Sequence, residues 1–427
     1  MYDTLKTEGR RDLSSDSYQI LISRKRGASK MKYDFESIID RKNKDALACD
    51  VIPIEGAKVQ EGFSHIPMWV ADMNFATVPT IGEHVIERVR HPLFGYFMPT
   101  DEYYGSIISW QKKRHGVEGL TKEDIGYENG VIGCAASVLK AFSAPGDPIL
   151  VHSPTYIGFT EMLDRNGRKI VHSPLVRDKD GIWRMDYDDM DKKIRENKIH
   201  LCIFCSPHNP TGRVWERDEI EKAMEVYKKN DCIVISDEIW SDIILDGNEH
   251  ITTQSISDDA KMRTIAVYAP SKTFNLAGLI GSYHVIYNKY LRDRLEKVSE
   301  QSCYNNMNVL SMHALIGAYT PEGNEWTDEL CETITGNVEY ACGFIKEHFS
   351  GVEFSKPQGT YMLFIDCRKW CADHNVTIDE LLRKGVSVGV IWQDGRDFQA
   401  EGSIRLNLAL PRTMLIEAFD RLEKYVF

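Results

Sequence analysis

The stretch Ala269-Pro270-Ser271-Lys272-Thr273-Phe274-Asn275-Leu276-Ala277-Gly278-Leu279 decides how this chain is read. It follows the apolar, β-branched run Thr264–Tyr268, which predicts a buried strand. One lysine, Lys272, therefore stands just past that strand's end among small and polar residues. A strand-end lysine is ordinarily solvated. Held in a walled, desolvated site or beside other cations, it acquires a lowered pKa and an amine able to condense with a carbonyl.

Working outward, five candidate strands alternate with helix-length segments: Ile149–Val151, Lys169–Val171, Leu201–Cys205, Ile233–Ile235 and Thr264–Tyr268. This alternation predicts an α/β fold with a mainly parallel sheet flanked by helices. The strands run into Ser153-Pro154-Thr155-Tyr156, Ser206-Pro207-His208-Asn209-Pro210, Ser236-Asp237-Glu238 and Pro270-Ser271-Lys272. Small and polar groups thus gather at the carboxyl ends, where open α/β sheets bind ligands. Asp237 closes an apolar run, so its carboxylate needs a cationic partner or serves as a helix N-cap. Asn129-Gly130-Val131-Ile132-Gly133 is a turn into a helical pattern over Cys134–Phe142, and a helix N-terminus suits a phosphate. Arg405 lies in the otherwise apolar Ser403–Ala409 and needs an anion, either an internal carboxylate or a substrate's. Beyond Ser311–Tyr319 the alternation ends. Helical segments around Trp326–Phe349 and strand-like Gly359–Asp366, Val386–Ile391 and Ser403–Ala409 predict a smaller α+β domain.

The bulk properties limit the alternatives. A chain of 427 residues, 42% hydrophobic, suits two domains. A net charge of −12 argues against nucleic-acid and anionic-membrane partners. No apolar run approaches the roughly 20 residues that span a bilayer. Ten cysteines are scattered through the candidate elements, which fits a reducing, cytoplasmic setting. The Cys202/Cys205 pair has C-x-x-C spacing but lies inside an apolar run, so a buried strand is expected and no metal is implied. The G-x-G-x-x-G, P-loop, H-E-x-x-H and G-x-S-x-G motifs are absent. Residues 1–30 read as a mobile extension, and Asp34–Arg41 as a short helix.

Ser271–Leu279 resembles the cofactor-lysine segment of pyridoxal-phosphate (PLP) enzymes of the aspartate-aminotransferase fold, fold type I. Within that superfamily it is most similar to the cystathionine β-lyase (C–S lyase) branch. The likeness extends from about Met31 to Phe427 through Pro67-Met68-Trp69-Val70-Ala71-Asp72-Met73-Asn74-Phe75, Ser206–Gly212 and Arg405–Arg412. It implies a seven-stranded-type sheet, an N-terminal arm over 31–75, a large PLP-binding domain over 76–315 and a small domain over 316–427. By resemblance Lys272 binds PLP and acts as base, Asp237 pairs with the pyridine nitrogen, Asn209 donates to the phenolic oxygen, and Tyr156 stacks on the ring. The amides of Val131 and Ile132 and the Ser271 hydroxyl hold the phosphate, and Arg405 clamps the substrate carboxylate. Trp69 and Ala71 belong to a segment lining the substrate entrance, and Tyr96 reaches the phosphate of a partner subunit, implying a homodimer. The chain departs from the family's patterns in four places: Asn74 replaces an aspartate, Ile280 an arginine common in aminotransferases, Trp240 a tyrosine or histidine beside the phenolic oxygen, and Phe364 a tryptophan. The implied activity is β-elimination from cystathionine or a cysteine S-conjugate. The alternatives are an aminotransferase and a non-catalytic binding protein on the same fold.

Overall fold

A computed structural model describes residues 31–301 and 305–427, so the extension expected over residues 1–30 lies outside the described residues. Residues 31–34 and residues 35–427 belong to separate contact units. In the first, the Lys32 ammonium lies 5.2 Å from the Tyr33 ring centroid. The second carries the fold.

Its central sheet has seven strands: β1 (Ile125–Glu128), β2 (Pro148–Ser153), β3 (Lys169–Pro174), β4 (Leu201–Cys205), β5 (Ile233–Asp237), β6 (Thr264–Tyr268) and β7 (Ser282–Val285). Their spatial order is β1-β7-β6-β5-β4-β2-β3. The pairings among β2 to β6 are parallel, while β7 runs antiparallel to both β6 and β1. Every residue of β4 and of β6 is buried, as central strands with both faces covered require. Alternate residues divide between two cores. Ile149, Val151, Leu201 and Ile203 pack with Val138, Leu139, Phe159 and Leu163 of the helices Val131–Phe142 and Ile157–Arg165. Leu150, Cys202 and Phe204 face the helices Tyr187–Asn197 and Arg217–Lys229 on the other side. Because β2, β4, β5 and β6 are parallel, Ser153, Cys205, Asp237 and Tyr268 end on one edge of the sheet.

A second, antiparallel sheet joins Glu353–Phe354, Met362–Asp366, Ser403–Asn407 and Gln393–Asp394, in that order. The segment before residue 76 is laid against it. Ile66–Pro67 pairs in parallel with Val390–Ile391, Asn407 N donates to Met68 O at 2.7 Å, and Asn74 N donates to Ala409 O at 2.9 Å. The Asn407 amide adds bonds to Val70 O (2.8 Å) and Asp72 O (2.7 Å). This stretch therefore crosses directly over the strand that carries Arg405.

All five expected strands are present, but two of the seven were not expected. Both β1 and β7 have only four residues and carry Gly126 and His284 at mid-strand, which blurs an apolar pattern. Phe35–Arg41 is not helical: Ile38 and Ile39 are exposed and only Phe35 is buried, so no apolar face exists for a helix to bury. Val386–Ile391 is likewise not one strand. Val386 belongs to the helix Ile378–Ser387, and only Val390–Ile391 is extended, because Gly389 turns the chain at φ +85°. The nine described cysteines are all free, Cys202 and Cys205 among them.

Asn407→Ala removes two buried hydrogen bonds to the crossing segment. It is expected to lower the unfolding free energy by about 2 kcal/mol in urea denaturation; an unchanged midpoint would mean the segment is held by other contacts.

Candidate active site

Lys272 leaves β6 through Ala269 into a single helical turn, Pro270–Thr273, with proline in the first turn where its missing N–H costs nothing. The turn is pinned on both sides. Thr273 Oγ1 donates to Asp242 Oδ2 at 2.9 Å, and Asn275, at φ +56°, exchanges two 3.0 Å bonds with the backbone of Met73. The Lys272 amine donates to Ala71 O at 3.2 Å and sits 5.7 Å from the Trp240 ring centroid. Part of the side chain still reaches solvent, but the amine is enclosed. Burial first, and then the Arg405 charge, lower its pKa to about 8, against the opposing pull of Asp237 and Asp72.

Arg405 is 2% exposed. Its Nη1 donates to Asn209 Oδ1 at 3.0 Å, and its Nη2 to Trp69 O at 2.9 Å and Gln393 Oε1 at 2.5 Å. The guanidinium also lies 4.4 Å from the Phe398 ring centroid. All these hydrogen-bond partners are neutral oxygens, and burial draws the group down to about 10. Among the described residues no carboxylate bonds the guanidinium, so the internal salt bridge is not what is found; Asp397, tied to Gln393, acts on it only through space. Asp237 is the converse case. It is 4% exposed, accepts from Ile239 N at 3.0 Å, and is pushed up to about 7 chiefly by burial. Tyr156 is also raised by burial, with Arg405 and Asp237 as its nearest charged influences. Its ring lies across Gly158, where a Cβ would come within 2.4 Å of it. Trp240 is buried, edge-on to Tyr361 at 4.7 Å between centroids.

Val131 and Ile132 open a 12-residue helix whose N-cap, Gly130, has φ +80° and no capping side chain. Their amides belong to the first turn, which has no intrahelical acceptor. The preceding turn is braced by Glu128, whose Oε2 accepts from Asn305 Nδ2 (2.6 Å) while Asn305 Oδ1 accepts from Asn129 N (3.0 Å). Ser271 follows in the lysine turn. Ile280 sits in a strained left-handed conformation, φ +41°, with its carbonyl accepting from Ser311 Oγ at 2.9 Å. Tyr96 lies in an exposed segment with Leu93, Phe94 and Met98, each well over half exposed.

Lys272, Asp237, Asn209, Arg405, Tyr156, Trp240, Trp69 and Ala71 are thus linked by bonds, rings or charge around one enclosure. Trp69 and Ala71 take part through their carbonyls, because the Trp69 indole is committed to Ala48 O at 3.1 Å. His208 is a bystander: its Nδ1 bonds Thr211 Oγ1 at 2.8 Å and burial holds its pKa near 3. Three contributors were not singled out from the sequence. Gln393 completes the arginine's shell. Asn275 stands inside the lysine motif, where its tie to Met73 had no local sign. Arg41 bonds Asp72 Oδ2 (2.6 Å), Asn74 Oδ1 (3.1 Å) and Met73 O (3.2 Å), which gives Asn74 a structural use.

A doubly wound sheet with an enclosed lysine, a raised carboxyl and an uncompensated arginine at its carboxyl edge defines an enzyme of amino-acid chemistry. The chain belongs to the aminotransferase class I and II family, whose model matches residues 72–422. Cystathionine beta-lyase PatB of Bacillus subtilis is 33% identical over 84% of this chain and 92% of its own length. A PLP-bound putative aminotransferase from Clostridium difficile superposes with a TM-score of 0.85 at 32% identity, covering 93% of this chain and all of that one. The PLP-bound C-S lyase of Staphylococcus hominis gives 0.82 at 31% identity, covering 92% and 98%.

A carboxyl whose folded pKa lies above its unfolded value binds protons on folding, so its contribution to stability falls as pH rises through the interval between the two. For Asp237 that interval runs from 3.8 to about 7. Cofactor-free Asp237→Asn, which does not titrate there, is expected to gain stability relative to cofactor-free wild type across this window. Parallel Tm-versus-pH curves would contradict the assignment.

Proposed function

We propose that this chain is a PLP-dependent carbon–sulfur β-lyase that eliminates a thiol from cystathionine or a related cysteine S-conjugate, releasing pyruvate and ammonia. The observation that carries the amino-acid site is Arg405: a buried guanidinium with neutral partners, beside an enclosed lysine amine, accommodates an α-carboxylate. The residues also fit the cofactor. The raised Asp237 carboxyl lacks a cation that a protonated pyridine nitrogen would supply, and the uncapped turn at Gly130–Ile132 offers amides to a phosphate. When bound, PLP supplies an electron sink for negative charge at the substrate's Cα.

The chain's own groups do the rest. Lys272 Nζ would hold the cofactor and, once freed by the substrate amine, would take the Cα proton. A pKa near 8 leaves a substantial fraction of the free amine neutral at physiological pH. Arg405, oriented by Asn209 and Gln393, fixes the carboxylate and so decides which Cα bond is broken. Tyr156 would cover the cofactor ring, and Trp240 stands beside the amine where the family carries a tyrosine or histidine. Elimination is favoured over transamination by the likeness to PatB across nearly the whole of both chains. We assign 31–75 as an arm, 76–315 as the large domain and 316–427 as the small domain. A homodimer covers the exposed Leu93–Met98 stretch and brings Tyr96 to the partner's phosphate. The free thiols fit a reducing compartment.

Holoenzyme incubated with L-cystathionine and no keto acid is expected to release pyruvate and free thiol in equal amounts over many turnovers. Lys272→Ala should lower that rate about a thousandfold. Conversion that stops after one turnover and resumes with a keto acid would make the chain an aminotransferase. In sedimentation the protein should run at twice 48.9 kDa, and Tyr96→Phe should stay dimeric while weakening cofactor affinity about tenfold. A monomer retaining full activity would remove Tyr96 from the site.

A further inference from the structure

Three buried polar atoms around Lys272 have no hydrogen-bond partner within the chain: Arg405 Nε, Tyr361 Oη and Asp72 Oδ1. Arg405 Nε is a donor, Asp72 Oδ1 an acceptor, and the Tyr361 hydroxyl can act as either. Tyr361 is 0% exposed. Its carbonyl accepts from Leu408 N at 2.8 Å, which places it beside the strand that carries Arg405. Its ring meets Trp240 edge-on at 4.7 Å, and Trp240 in turn lies 5.7 Å from the lysine amine. Arg405 and Asp72 are the charges that act on its hydroxyl.

Removing a phenolic hydroxyl from water without a partner costs roughly 1–3 kcal/mol. A phenylalanine of the same shape would pack against Trp240 without that cost. The hydroxyl therefore answers to a group that the chain itself does not contain. The arginine narrows what that group is. Both Nη2 hydrogens are committed to Trp69 and Gln393 and one Nη1 hydrogen to Asn209, so Nε and the second Nη1 hydrogen are the donors left for a ligand. Asp72 Oδ1 cannot share in binding an anion, because an anion offers it no donor.

We propose that Tyr361 is a substrate-contacting specificity residue. Its hydroxyl and Arg405 Nε each donate one hydrogen bond, to the two oxygens of the substrate's α-carboxylate. The site selects a carboxylate over an amide because only the carboxylate brings a negative charge to the buried guanidinium, whose bonds within the chain are all to neutral oxygens. This rests on the reading of Lys272 and Arg405 as an amino-acid site and holds equally for elimination and for transamination.

The test uses holoenzyme, wild type and Tyr361→Phe, titrated calorimetrically with 3-(methylthio)propionate and with the corresponding amide. The acid carries a carboxylate and a thioether but no amine to react, so its binding is independent of which reaction follows. Wild type should prefer the acid. Tyr361→Phe should bind the acid about tenfold more weakly, as expected for a hydrogen bond to a charged group, and should lose less for the amide, whose bond to the hydroxyl joins neutral groups. In turnover the loss should fall on KM for L-cystathionine more than on kcat. The thermal midpoint without substrate should be unchanged or higher, since the deleted hydroxyl has no partner to lose. Equal affinity of the two proteins for the acid, or an unchanged KM, would overturn the proposal. A thermal midpoint lowered by several degrees would also overturn it, by revealing a structural partner for the hydroxyl.

Discussion

The enclosure of the Lys272 amine beside the Arg405 guanidinium is the constraint on which the rest depends. Two cations share a region withdrawn from water, and the carboxyls near them do not balance the charge. Asp237 is itself raised to about 7, and Asp72 is paired with Arg41. Such a site is unfavourable in isolation. It becomes favourable when ligands bring the missing negative charge, as the cofactor phosphate and substrate carboxylate of the proposed function would. The same imbalance lowers the lysine toward neutral pH before any ligand arrives, as the proposed base requires.

Holding cations in place at that cost demands a stiff frame. Behind Asp237, Glu238 is fully buried and accepts from Tyr268 (2.8 Å), Ser236 (2.9 Å) and Thr253 N (3.0 Å), and pairs with His250 at 3.0 Å. Behind Lys272, Asp242 gathers Thr273, the Trp110 indole (3.1 Å) and His115 (3.2 Å). His115 and His250 meet edge-on at 5.4 Å, so the two networks abut. Asp237 and Lys272 are thus each neighbours in sequence of a residue anchored in a buried polar network, and little of their geometry is left to side-chain freedom. The front of the site is made differently. There Asn407 and Asn275 tie Val70–Met73 down through backbone bonds, which aims the Ala71 and Trp69 carbonyls at the two cations.

Much of this was legible in the sequence. The central strands announced themselves because parallel strands buried on both faces read as unbroken apolar runs, and each ended in polar residues that the fold brings to one edge. Lys272, Asp237 and Arg405 could be singled out because each is a polar group out of place in an apolar or small-residue context, whereas Asn209, in a natural turn sequence, was named by resemblance alone. What was not legible is of two kinds. Short strands such as β1 and β7 carry too few residues for a period to show, and Phe35–Arg41 has the composition of a helix without the face of one. The contacts of Gln393, Arg41, Asn275 and Tyr361 are long-range, joining positions up to hundreds of residues apart. No local pattern encodes them, and only the folded register of the second sheet against the crossing segment brings them together.

The central claim, that the fold alone depresses the catalytic amine, is tested most directly by titrating Lys272 in the cofactor-free protein. Its rate of acetylation, followed by peptide mass spectrometry from about pH 6 to about pH 11, reports the neutral fraction of the amine. The account predicts a midpoint near 8, moving up toward the ordinary value when Arg405 is replaced by a neutral residue. A wild-type midpoint at the ordinary lysine value of 10.5 would contradict it.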